Sequence, residues 1–106
     1  MEWYVYLAHF FAGAFLMNCV PHLVNGVTGR LFPSPFASPP GRGDSAPWVN
    51  VLWGFANLVV GVVLLAGVGP FTFGLSLDLL VVLAGALGMA LELARHFGRL
   101  YGKLKN

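Results

Sequence analysis

Residues 48–68 read WVNVLWGFANLVVGVVLLAGV, without a single Asp, Glu, Lys or Arg. A helix needs roughly 20 such residues to cross a ~30 Å hydrocarbon core, and this stretch supplies them. Similar stretches stand on either side, at 3–24 and 71–97. The expected fold is therefore all-α: one membrane-embedded domain over residues 1–106, a three-helix bundle with spans at about 3–24, 48–68 and 71–97. Leu, Val and Phe mix with Gly and Ala in each span with no strict alternation, a pattern that opposes the roughly ten-residue strands of an outer-membrane barrel.

Composition agrees. A chain that is 58% hydrophobic and 9% charged has too little charge to cover a soluble globule. The first span follows Glu2 with no leading Lys or Arg and is longer than the apolar core of a secretory signal, so it is expected to be retained. Cys19, the only cysteine, excludes an intramolecular disulfide and reads as a small buried apolar residue.

Orientation follows from the cations. Arg30 and Arg42 lie in the loop at 25–47, while Arg95, Arg99, Lys103 and Lys105 overlap or follow the third span. All six fall at one end, which the positive-inside rule makes cytoplasmic, with the N-terminus and a short connection at 67–70 outside. Cations that flank spans, without forming a basic face on a soluble module, give no support for nucleic-acid binding. The loop at 25–47 holds five prolines (Pro33, Pro35, Pro39, Pro40, Pro47) and is excluded from regular helix. Its first half, with Leu31, Phe32 and Phe36, is expected to lie on the inner surface or fold back over the helices, and Pro39 to Ser45 to form a flexible turn. The Arg42-Gly43-Asp44 adhesion tripeptide reads as chance.

The polar residues inside the spans carry the functional question, since such groups usually have a partner or a task. Residues three, four and seven apart share a helix face. Asn18, His22 and Asn25 make one stripe; Asn50, Gly54, Asn57 and Gly61 make a second; Asp78, Gly85 and Glu92 make a third, with Gly88 and His96 beside it. Counted at ~1.5 Å per residue, Asn18 and Asn57 lie roughly 10 Å deep from the cytoplasmic side, with His22, Trp53 and Glu92 nearer the surface. A shared polar cluster of Asn18, His22, Asn25, Asn50, Trp53, Asn57, Glu92 and His96 is expected, with Gly54, Gly61, Gly85 and Gly88 at helix contacts. His9 and Asp78 form a separate outer pair at a similar ~10 Å depth by the same rise. His9 lies about 180° around the first helix from Asn18, at ~100° per residue. Either Pro21 and local twist reconcile the two, or one face meets another subunit.

Each residue has an ordinary reading beside the sharper one. The asparagines serve as interhelical glue, worth about 0.6 to 2 kcal/mol per contact, or as ligand groups. His22 with Glu92 or His96 reads as a proton-responsive site, a metal set or haem axial ligation. Met17, Cys19 and His22 have the chemistry for a soft metal, but their spacing spreads them around the helix. His96 with Arg95 and Arg99 reads as an interfacial cap toward anionic headgroups. No catalytic triad order, phosphate loop or paired metal-binding Cys motif is present in the sequence, so neither an enzyme nor a cofactor or metal is expected.

Asn18, Pro21, His22, Asn25, Gly26, Gly29, Phe32, Pro35 and Phe36, followed by Asn50, Trp53, Gly54 and Asn57, resemble a family of small bacterial integral membrane proteins of unassigned activity. The resemblance implies bacterial origin and little more; with the spans and the cations at one end, the expected location is the bacterial inner membrane. Gly29-Arg30, Val49-Asn50 and Phe71-Thr72-Phe73 echo the order in bacterial fluoride channels. That family has four spans and a fuller Thr and Phe motif, so no ion-binding residue carries over. The leading expectation is a structural or accessory subunit, N-terminus outside, that self-associates or joins a membrane-protein complex in the lipid bilayer. The alternatives are a small oligomeric channel or transporter using His9, Asp78, Asn57, Glu92 and His22, and a binder of lipid, quinone or haem.

Overall fold

A computed structural model describes residues 2–102. Its helices are α1 (Trp3–Val27), α2 (Pro47–Ala66) and α3 (Leu77–Leu100), each long and apolar enough to cross a membrane. Two short strands, β1 (Phe32–Pro33) and β2 (Asp44–Ser45), pair antiparallel between α1 and α2.

The helix ends follow from local chemistry. α1 runs through Pro21, and Asn25 Nδ2 donates to the Pro21 carbonyl at 2.7 Å. It stops where Gly29 takes φ +73°, with Arg30 N–H donating to Asn25 O at 2.9 Å and Gly29 N–H to Gly26 O at 3.1 Å. That pair of bonds is a Schellman cap, and the left-handed position in it suits glycine. α2 opens with Pro47 in its first turn, where a missing N–H has no helical acceptor to lose.

α3 begins six residues after the apolar run does, at Leu77 and not Phe71. Gly74 turns the chain at φ +86°, Ser76 Oγ accepts from Leu79 N–H at 3.1 Å, and the Ser76 hydroxyl donates to Thr72 O at 2.8 Å. The connection is therefore 67–76, longer than the expected 67–70. Hydropathy hides it because Phe71, Phe73 and Leu75 are apolar although none is helical.

The packing places α1 in the middle. α2 lies antiparallel along one face and α3 parallel along the other, while α2 and α3 scarcely touch. Glycines set both contacts. A Cβ on Gly85 would land on the Phe10 carbonyl, and one on Gly13 would land on the Val82 carbonyl, so α1 and α3 cross backbone against backbone. Against α2, Gly54 accommodates Leu23, Gly61 accommodates Leu16 and Gly26 accommodates Val51. Gly88 corrects the expectation: it is exposed, and a Cβ there meets nothing within 4 Å. Gly13, on the opposite partner, takes the packing role instead.

At the end where α1 stops and α2 starts, called here the loop end, Phe32 stands between the outer helices and α1. Its ring is 5.5 Å from His22 and 4.7 Å from Phe97, centroid to centroid. The loop is ordered around Ser34, whose carbonyl accepts from Ala37 and Gly41 N–H and whose hydroxyl meets Ser45 Oγ at 2.6 Å. The Pro39–Ser45 stretch, expected as a flexible turn, is fastened: His96 Nε2–H donates to Gly41 O at 2.7 Å. Tyr101, just past α3, has its phenol pushed up from its ordinary value by burial and by the Asp44 carboxylate.

Candidate functional site

The polar groups gather in two contacts on opposite faces of α1. Toward α2, Asn18 Nδ2 donates to Asn57 Oδ1 at 2.9 Å, and Asn57 Nδ2 donates to the Trp53 carbonyl at 2.8 Å. Nearer the loop end, by about one turn of α1 and two of α2, Asn50 is fully buried and acts as a junction. Its Nδ2 donates to Phe32 O at 2.8 Å, with Ser45 O at 3.4 Å, and this fixes which way the amide points. The Asn50 oxygen then accepts from His22 Nδ1–H at 2.7 Å. One amide thereby joins α1, α2 and the loop. His22 lies edge-on to both Phe32 and Trp53.

The other contact lies toward α3, near the end carrying the N-terminus. His9 Nδ1–H donates to Asp78 Oδ1, and both side chains are buried. Asp78 Oδ2 accepts from Thr72 N–H at 2.9 Å. The carboxylate also sits in the first turn of α3, where the helix dipole stabilises negative charge. His9 Nε2 is buried without a hydrogen-bond partner, alone in this among the described residues. Phe71 lies edge-on beside the imidazole, with ring centroids 5.7 Å apart.

Several candidates fall elsewhere. Glu92 is 55% exposed and bonded to Arg95, with Oε2 accepting from Arg95 Nε at 2.9 Å. It takes no part in the cluster with Asn18 and His22. A seven-residue step slips by ~20° on a 3.6-residue helix, so by the second step from Asp78 the stripe has turned off the α1 face and Glu92 is exposed beside Arg95. Asn25 spends its amide on its own helix at Pro21. His96 belongs to the loop contact with Gly41, so His22 and His96 are held by separate partners. Sequence reasoning overlooked Ser34, Ser45 and Gly13; the Pro-Ser-Pro run at 33–35 and the Ala-Gly-Ala run at 12–14 carry the only local hints of them.

Among the described residues no three His, Cys, Asp or Glu side chains converge as a metal set. A groove of about 440 Å³ lies at the start of α2 against the loop, walled by Phe36, Trp48, Leu52 and Trp53. Compared with known proteins, the chain matches no family model, no curated protein and no solved structure.

Proposed function

We propose that this chain is a non-enzymatic, three-span protein of the bacterial inner membrane, acting as a structural or accessory subunit that self-associates or joins a larger membrane assembly. Its N-terminus lies outside, and the loop at 25–47 and the C-terminus are cytoplasmic. One observation carries this reading. The polar side chains within the helices are used to hold the chain's own elements together: Asn18 with Asn57, His22 with Asn50 and Phe32, His9 with Asp78 and Thr72. Because these contacts lie on opposite faces of α1, they do not join into one polar route through a single chain. Polar groups used in this way are interhelical glue.

Association is supported by the outer side of α3. Leu80, Leu83, Leu87 and Leu91 are each more than half exposed, and Ala84 and Gly88, four apart, leave a small-residue notch among them. Small residues so spaced allow helices of neighbouring chains to approach closely. Native mass spectrometry in mild detergent tests the reading: oligomers that G88L dissociates support it, and only monomer at all detergent concentrations overturns self-association. A cysteine at Ser38 that reacts with an impermeant label in intact cells would overturn the orientation.

The channel or transporter reading rests on His9 Nε2, the buried nitrogen left without a partner. Proteoliposome proton flux that disappears in D78N would favour it over the structural one.

A further inference from the structure

We infer that the loop end carries a binding site for the phosphate of an anionic phospholipid, formed by Arg42 and Arg99 around a cavity between the loop and the last turns of α3. The inference rests on the membrane reading above, with this end at the inner leaflet.

The cavity is about 210 Å³ and is lined by Arg42, His96, Arg99 and Leu100. Arg42 is far from α3 in sequence, and the backbone around it is held in place. Gly41, at φ +71°, donates its N–H to Ser34 O at 2.8 Å and accepts from His96 Nε2–H at 2.7 Å. Gly43 N–H donates to Pro39 O at 2.8 Å on the other side of Arg42. His96 and Arg99 lie one turn apart on α3, so the same histidine that fastens the loop brings Arg42 over Arg99.

The charge at this cavity has no direct ion-pair partner among the described residues, although Arg99 acts at longer range on Glu92. Arg95 is occupied by Glu92, whereas neither Arg42 nor Arg99 makes an ion pair among the described residues. No carboxylate lines the cavity; Asp44, the nearest acid along the loop, acts on Tyr101. Two arginines lining one cavity supply the donor chemistry for the oxygens of a phosphate group, which arginine binds bidentately.

A free phosphate and a lipid phosphate share this chemistry, and the surroundings favour the lipid. Leu100 forms part of the wall, and α3 is long and apolar enough to cross a membrane, so in the reading above the cavity stands at headgroup depth, where lipid phosphates are concentrated.

Native mass spectrometry of the detergent-purified protein with equimolar phosphatidylglycerol and phosphatidylcholine tests the site. The expected result is preferential retention of phosphatidylglycerol, lowered about fivefold in R42Q or R99Q, the factor one basic residue contributes near an anionic surface. R30Q, an exposed arginine elsewhere in the same loop, is expected to retain the lipid. An equal drop in R30Q shows diffuse charge attraction and overturns the site. Displacement of the lipid by millimolar inorganic phosphate assigns the cavity to a free anion and overturns the lipid, as does equal retention of the two lipids. Should R42Q/R99Q fail to fold, the single variants decide. Protein that stays soluble without detergent would instead overturn the membrane reading beneath the proposal, a failure distinct from any of these.

Discussion

The two faces of α1 solve the same packing problem with different chemistry. Toward α2, neutral amides and one imidazole bond across a contact eased by Gly54 and Gly61. Toward α3, an ionisable pair, His9 and Asp78, sits beside a crossing so tight that Gly13 and Gly85 have no room for a methyl group. Amide contacts are interchangeable and individually modest. A buried ionisable pair is different in kind, since removing one partner leaves the other stranded. The α1–α3 contact is therefore the brittle one, and the α1–α2 contact the forgiving one.

The largest effect is expected at the brittle contact. H9L leaves Asp78 without its imidazole and should cost about 3 to 5 kcal/mol, whereas H9L/D78L should recover much of that loss because it removes both polar groups together. Unfolding in mixed micelles of increasing denaturant strength measures both; a double variant as unstable as the single would show that the pair is no unit. Next comes G85V, which forces side-chain carbons onto the Phe10 carbonyl and should cost about 1 to 3 kcal/mol by overpacking, while G88V, facing open space, leaves the monomer's melting temperature unchanged.

On the forgiving side, N50A should cost about 1 to 3 kcal/mol, because it unpairs His22 and the Phe32 carbonyl at once. Protease sensitivity of the loop between Phe32 and Ser45 should rise in the same variant, as the amide no longer fastens it. N18A removes one amide contact and should cost only about 0.6 kcal/mol. If N18A proves as damaging as H9L, the contrast between the faces fails. The smallest effect is expected from E92Q, whose exposed pair with Arg95 lies on neither face, so its thermal melt should overlay the unmodified protein's.

The parts of this arrangement that are legible in sequence are those governed by short-range periodicity. Asn50, Gly54, Asn57 and Gly61 repeat at helical spacing, and these four are the buried residues of α2. The depths of His9 and Asp78 are countable from the helix ends. The angle between His9 and Asn18 posed a choice between a distorted helix and a second subunit; the fold answers with a third possibility, two neighbours of the same chain on opposite sides of α1. What stayed hidden depends on chain paths that hydropathy does not encode. Phe71 to Leu75 looks helical by composition but is shaped by Gly74 and the Ser76 cap. Glu92 continues a heptad that drifts off the packed face of α3 and pairs with Arg95 instead. Ser34 organises the loop through hydrogen bonds with no periodic signature.

The distance along the chain between His9 and Asp78 has a consequence for biosynthesis. Sixty-nine residues separate the imidazole from its carboxylate. At roughly 5 to 20 residues per second, translation of that interval takes on the order of several seconds. For that time the α1–α2 hairpin can already close through its amides, while His9 on the other face has no hydrogen-bond partner from α3. Translation order and contact order coincide, so α3, made after α1 and α2, completes the buried contact between His9 and Asp78.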